Sequence, residues 1–281
     1  MRIIQLKKRT GIEYKKFIRR NALETDYTDL VKEDCILVED GKIRAIYMVI
    51  PGITDAIRPH LRNIRFDETT RVSGLKTRSR IFGYMPRIVM RSDYCRTASM
   101  AKDNPKATQA LEELARKVSE YYKEFNPELY EKHQALTNKV LSDYVIPDTL
   151  FTSGIINENN YLNYHFDAGN FRHVASILVG VKENVGGGYL AMPEYDCALE
   201  IANDCICIFD GQDILHGVTP IELLHRDAKR YTIVYYSLAK MWNCEPLNDE
   251  IARIRQKKLE RELKRAGIPI RNEESLGDNV K

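Results

Sequence analysis

The chain reads as an α+β protein built on a double-sheet jelly roll, and three observations predict that class. Between Phe151 and Leu238, about eight short apolar runs recur at turn-sized intervals, a texture of packed antiparallel sheets and not of a parallel α/β fold. Two helical patterns stand just ahead of that block. The length, 281 residues with 43% apolar content, suits one large core with appendages.

Residues 1–105 hold a basic amphipathic start, two flanking strands and a basic loop region, expected to pack on the core. Cys35-Ile36-Leu37-Val38 and the run from Ile43 to Ile50 are split by Glu39-Asp40-Gly41-Lys42, and Asp-Gly between two such runs predicts a hairpin. Residues 51–105 carry Pro51-Gly52, Pro59 and Pro86 with little periodicity, as loops laid over a core do. Ten cations between Arg58 and Arg96, among them Arg78, Arg80 and Arg91, face only Asp67, Glu68 and Asp93. Such a segment can hold a polyanion, and the plainer reading is a solvated face with local ion pairs.

Helices are expected over 106–125 and 128–144. Asn104-Pro105 and Asn126-Pro127 are start signals, and Leu111, Leu114, Ala115, Val118 and Tyr122 keep a 3.6-residue stripe. With the strands they make a unit over 106–246. A charged helix from Leu247 to Ala266, ended by Gly267-Ile268-Pro269, and a tail fill 247–281. No apolar run approaches membrane-spanning length and the N-terminus lacks a cleavable leader pattern, so a cytoplasmic, monomeric protein without membrane contact is expected. Cys35, Cys95, Cys197, Cys205, Cys207 and Cys244 make no paired C-x-x-C motif and are expected as reduced thiols, with Cys205 and Cys207 serving as small apolar residues of a strand.

The candidate site begins at His165-Phe166-Asp167. Residues two apart on a strand project from one face, so His165 and Asp167 can grip one metal ion. His216, in His216-Gly217-Val218-Thr219-Pro220, supplies a third ligand; its rival is His225, which lies only five residues before Arg230. Two imidazoles and one carboxylate leave three positions of an ion open, the ligand set of non-haem Fe(II) oxygenases, whereas structural zinc takes a fourth protein ligand. Arg230 and Thr232 share a strand face and can hold one carboxylate, the distal one of 2-oxoglutarate. Gly186-Gly187-Gly188 is read as a turn, since no Lys-Ser/Thr follows to make a phosphate loop. His133 and His173 are given structural roles, as is His60, for which phosphate contact from the basic region is the alternative.

With these residues placed, the chain resembles the TET/JBP nucleic-acid dioxygenases, especially the short phage-type members, over about residues 75–240. The likeness rests on Asn163 before H-x-D, Asn170 after it, the triple glycine followed by Tyr189-Leu190, Phe209-Asp210-Gly211, and His216-Gly217-Val218, with Phe82 to Arg87 as an upstream anchor. The resemblance implies a double-stranded β-helix, Fe(II) with 2-oxoglutarate and O2, and oxidation of a 5-methylpyrimidine in DNA. 5-Methylcytosine is the expected substrate and thymine the alternative. It also implies that Asn170 reaches the target base, with Asn163 a second candidate contact, and that Arg87 joins Arg230 and Thr232 on 2-oxoglutarate. Arg78, Arg80 and Arg91 become candidate phosphate contacts, and Phe82, Tyr84 or Phe171 stand ready to stack on a base flipped from the duplex. Two departures stand out: the scattered cysteines cannot build the zinc-binding region of the animal enzymes, and Tyr231 to Asn243 contains no histidine. Rival readings are an oxygenase acting on a protein side chain or small molecule, and a DNA-binding protein with an inactive site.

Overall fold

The computed structural model describes residues 1–70, 75–88 and 94–268. Ahead of the main helices run β1 (Arg2–Gln5), β2 (Asp29–Val31), β3 (Cys35–Glu39), β4 (Lys42–Val49), β5 (Asp67–Thr70), β6 (Lys76–Met85) and β7 (Arg96–Thr97). After them come β8 (Ser153–Glu158), β9 (Leu162–His165), β10 (Ser176–Glu183), β11 (Val185–Gly187), β12 (Leu190–Met192), β13 (Cys197–Leu199), β14 (Cys205–Phe209), β15 (His216–Val218), β16 (Ile221–Leu223) and β17 (Lys229–Tyr236). The helices are α1 (Arg58–Leu61), α2 (Met100–Asp103), α3 (Pro105–Phe125), α4 (Pro127–Thr137) and α5 (Leu247–Arg265).

One sheet runs in the order β1-β3-β4-β14-β10-β17-β8-β6-β5, with β7 beside β6, and a smaller one runs β2-β13-β12-β15-β9. Alternation along β14 explains how they pack. Ile206 and Ile208 face α3, where Leu111, Leu114, Val118 and Tyr122 join Ile177 and Ile233 in one core. Cys205, Cys207 and Phe209 face the small sheet and pack with Leu190, Met192, Leu199 and Val218. The large sheet is therefore buried on both faces, and the pair of sheets is the expected jelly roll. Truncating a fully buried contact such as Leu114 to Ala would cost about 2–5 kcal/mol.

The β3–β4 hairpin forms where Asp-Gly predicts it. Asp40 and Gly41 both take positive φ, 49° and 75°, as a type I′ turn requires. Three other expectations are corrected. Residues 51–105 are not merely loop, because β6 pairs with β8 from Arg78 to Gly83 and carries β5 and β7. Its pattern hid the strand: the buried positions include Thr77 and Arg80, the first bonded to Thr69 and the second paired through its terminal nitrogens with Asp67, Ser99 and Asp103. The second helix stops at Thr137, whose hydroxyl donates to the Leu150 carbonyl at 2.8 Å, and 142–144 make a separate 3-10 turn. Gly186 and Gly187 lie inside β11, paired with β16, and not in a turn.

The cysteine expectation fails for one pair. Cys95 and Cys244 form a disulfide across 149 residues, because the chain after β17 returns beside the start of β7. The remaining four thiols are buried, and burial pushes Cys35 up to about 11 and Cys197 and Cys205 up to about 12, as inert packing residues. Next to the disulfide, Glu250 of α5 accepts from Arg87 at 2.9 Å and from the Cys95 backbone N–H at 3.0 Å, clasping the helix to the core. Among the described residues no helix is long and apolar enough to cross a membrane.

Candidate active site

Strand pairing assembles the metal-ligand set. His165 closes β9 and His216 opens β15, and the two sit directly opposite each other in the antiparallel register, ring centroids 4.4 Å apart. Asp167 follows β9 and brings Oδ1 to 3.7 Å from His165 Nε2 and 3.8 Å from His216 Nε2. Each imidazole is oriented the same way: Nδ1–H donates to a carbonyl two residues back, Asn163 at 2.8 Å for His165 and Ile214 at 2.9 Å for His216. That arrangement fixes the tautomer and leaves both Nε2 atoms with Asp167 as one convergent donor set. His225 is exposed beside Asp227, away from this cluster, whose second imidazole is that of His216.

The Asp167 carboxylate needs close backbone approach. Its amide donates to the Gly211 carbonyl at 2.8 Å, and a Cβ on Gly211 would lie 2.3 Å from Asp167 Oδ2, so only glycine fits in Phe209-Asp210-Gly211. Asn170 donates from Nδ2 to Asp167 Oδ2 at 3.4 Å and to Ser176 Oγ at 3.3 Å, beside the metal-ligand set.

One cavity of about 260 Å³ carries the set together with Arg230, Thr232 and Tyr236. Arg230 is 1% exposed, yet no carboxylate pairs with it among the described residues. Its guanidinium donates only to the carbonyls of Asn160 at 3.3 Å and Gly188 at 2.9 Å, and Nε has no partner. Gly188 takes φ +70°, and a Cβ there would come 2.9 Å from that Nε, so the third glycine makes room for the arginine. Burial pulls the guanidinium down to about 10, which still leaves it charged at neutral pH. A buried cation without an anion is costly, and a dicarboxylate entering this cavity would complete it. Thr232, accepting from Asn157 Nδ2 at 3.3 Å, presents its hydroxyl to the same space.

The other expected contacts go elsewhere. Arg87 is committed to Glu250 and to Glu245 at 2.7 Å and does not line the cavity, so its expected role on 2-oxoglutarate is corrected to a structural one. Arg78 pairs with Glu158 at 2.7 Å and Glu68 at 2.5 Å, and Arg80 is buried against Asp67 and Asp103, so neither is offered to phosphate. The plainer reading of local ion pairs holds for both, and Arg91 lies outside the described residues. Phe82 and Phe171 are core residues. Asn163 turns its amide to the Arg19 carbonyl.

Two features escaped the sequence reading. Tyr236 lines the cavity, its phenol pushed up by burial and then by Asp167, and simple extension of the Arg230–Thr232 alternation through Val234 would have found it. The N-terminal Lys15-Lys16-Phe17-Ile18-Arg19-Arg20 lies against β9, with the Arg19 N–H donating to the Tyr164 carbonyl at 2.8 Å and the Tyr164 N–H to the Arg20 carbonyl at 2.9 Å. Its four cations are exposed; Lys16 pairs with Glu13 at 2.9 Å and Arg20 with Asp26, while Lys15 and Arg19 form no ion pair among the described residues.

A jelly roll that converges two histidines and an aspartate, with a charged but anionless arginine in the same cavity, has the fold and donor set of a 2-oxoglutarate/Fe(II) oxygenase. Residues 84–239 match the Tet_JBP family, the oxygenase domain of the 2OGFeDO superfamily, and the chain belongs to that family. Its chemistry is that of Fe(II), 2-oxoglutarate and O2. The structure of NgTET1 in complex with 5mC DNA superposes with a TM-score of 0.57 at 13% identity, covering 82% of this chain and 90% of that one, a likeness of fold. A 2OG-Fe(II) oxygenase family oxidoreductase from Burkholderia pseudomallei gives 0.46 at 12% identity over 68% of this chain and 84% of that one. No curated protein matches the sequence.

Proposed function

We propose that the protein oxidises the methyl group of 5-methylcytosine in DNA to 5-hydroxymethylcytosine, with His165, Asp167 and His216 holding Fe(II). The observation that carries the reading is Arg230, a buried cation with no carboxylate partner among the described residues, in the cavity that also holds the metal-ligand set. Arg230 and Thr232 take the distal carboxylate of 2-oxoglutarate, which sets the reach of its keto-acid end toward the three ligands. When bound, Fe(II) would couple oxidative decarboxylation of 2-oxoglutarate by O2, which gives CO2 and places one oxygen atom in succinate, to hydroxylation of the substrate methyl with the other oxygen atom. The chain's own part is to orient and to keep water out: Leu162, Leu190, Leu178 and Val218 wall the cavity. Asn170 steadies Asp167, and Tyr236 offers a ring to a base that has left the stack.

DNA as substrate is supported by membership of the TET/JBP family and by the exposed cations Lys15 and Arg19, which form no ion pair among the described residues, on the segment against β9. The test is nucleoside mass spectrometry of methylated DNA incubated with protein, Fe(II) and 2-oxoglutarate. 5-Hydroxymethylcytosine accompanied by succinate is the expected result. Hydroxymethyluracil as the main product would move the substrate to thymine, and succinate release with protein extract but not DNA would move it to a side chain.

A further inference from the structure

Beside the metal-ligand set opens a groove of about 540 Å³, lined by Leu136, Asp167, Gly169, Asn170, Arg172 and Trp242, and it shares Asp167, Ala168 and Asn170 with the buried cavity. Trp242 lies beyond the segment that matches the family. Its indole is 38% exposed although both ends of its binding capacity are used: the ring stacks on Phe171 at 4.6 Å and 13°, and Nε1–H donates to the Leu136 carbonyl at 3.0 Å. Such a ring is held still with all its polar capacity satisfied and an apolar surface left to solvent. The charges around it are positive. Lys139 places its ammonium 5.9 Å from the ring centroid, Arg172 lines the groove and Lys240 is exposed two residues before Trp242. Among the described residues Asp167 is the one carboxylate in the lining, and its charge would be taken up by the metal.

An immobilised aromatic surface rimmed by cations is what a nucleotide outside a duplex stack prefers, the base on the ring and the phosphate on the cations. We propose that Trp242 is the stacking platform for a nucleotide flanking the target base, with Arg172 and Lys139 on its phosphates. The proposal rests on DNA being the substrate. It adds to that reading a second base-sized site, continuous with the first at Asp167 and Asn170, that would hold the strand in place while the target base occupies the cavity.

Trp242 is the only tryptophan in the chain, so its fluorescence reports on this groove alone. The full-length protein is titrated with a short single-stranded oligodeoxynucleotide carrying 5-methylcytosine, and separately with tripolyphosphate at matched ionic strength. Saturable quenching by the oligonucleotide and none by tripolyphosphate is expected. In turnover, Trp242→Ala is expected to raise KM for DNA about tenfold or more while KM for 2-oxoglutarate keeps its value, and Trp242→Phe should lie between it and the wild type. Oxidation of the DNA by wild-type protein without any change in its fluorescence, or an unchanged KM for DNA in the alanine variant, would overturn the platform and leave the proposed function standing. Failure of the wild type to oxidise DNA at all would remove the proposed function, and the platform with it. The wild-type titration needs no variant, so a Trp242→Ala protein that folds poorly does not decide the matter.

Discussion

Arg80 and Arg230 are both buried arginines on strands of the same sheet, and they have opposite electrostatic surroundings. Arg80 reaches Asp67 at 3.3 Å, Asp103 and the Ser99 hydroxyl at 3.0 Å, so its charge is met inside the protein. Arg230 is met by two carbonyl oxygens only, among the described residues. Desolvating a guanidinium without a counter-ion is expensive enough that a folded chain retains it where an anion will arrive, whereas one with two carboxylates is a piece of architecture. The same comparison sorts Arg87, clasped to Glu250, with Arg80, and the sorting is visible only once partners are known.

The largest effect lies at the ion that the Arg230 side of this comparison presupposes. His165→Ala, Asp167→Ala and His216→Ala are each expected to abolish succinate release, since two remaining ligands hold Fe(II) poorly and open the wrong positions. Full activity in His216→Ala would break the assignment and return His225 to consideration.

Next in size is the contrast itself. Arg230→Ala should weaken 2-oxoglutarate binding by about 2–5 kcal/mol and so raise the 2-oxoglutarate requirement roughly thirtyfold or more in concentration, as for other buried charge partners. Arg80→Ala should leave that requirement where it is and cost about 1–2 kcal/mol of stability, a modest figure because its aspartates are 66% and 47% exposed. Titrating 2-oxoglutarate against both variants, with thermal unfolding alongside, separates the two. Equal shifts in the 2-oxoglutarate requirement would erase the distinction.

What could be read before any fold was known follows from range. His165 and Asp167, and Arg230 and Thr232, are pairs two apart, and strand alternation alone puts each pair on one face. His216 was legible through its glycine and the strand spacing, although only the β9–β15 register shows why it and not His225 meets His165. Arg80, Arg87 and Cys95 were misread because their partners, Asp103, Glu250 and Cys244, are distant in sequence, and no local pattern encodes a long-range contact. β6 was missed for a related reason: a strand that buries Thr77 and Arg80 ahead of Phe82 lacks the apolar alternation that marks a strand, and the partners of Thr77 and Arg80 lie elsewhere in the chain.

Asn170 sharpens the comparison on a smaller scale, because its amide already has partners in Asp167 and Ser176. A residue that braces a metal ligand affects every reaction of that metal. Asn170→Ala is expected to lower DNA oxidation and DNA-independent 2-oxoglutarate consumption together, by about tenfold, the low end for outer-shell partners given a 3.4 Å contact. If oxidation of DNA falls while 2-oxoglutarate consumption holds, the amide contacts the base, as the family resemblance implies.

The smallest effect is on salt dependence, and it applies the paired-or-unpaired distinction to the surface. Arg78 and Arg80 were candidates for phosphate, yet each has two carboxylates in reach, so exchanging those partners for a phosphate releases little net charge interaction. Lys15 and Arg19 are exposed, form no ion pair among the described residues, and sit on the segment hydrogen-bonded to Tyr164, next to His165. Each phosphate contact contributes about 0.9 to the slope of log affinity against log salt for duplex DNA, so the double variant Lys15→Ala, Arg19→Ala should flatten that slope by up to about 1.8. The corresponding Arg78, Arg80 variant should leave it unchanged. Binding isotherms at several salt concentrations measure both, and because the quantity is a slope, a uniform loss of stability does not imitate it. A flattened slope in the Arg78, Arg80 protein alone would mean that DNA displaces carboxylates from those arginines, and that an internal partner does not disqualify a surface cation from binding phosphate.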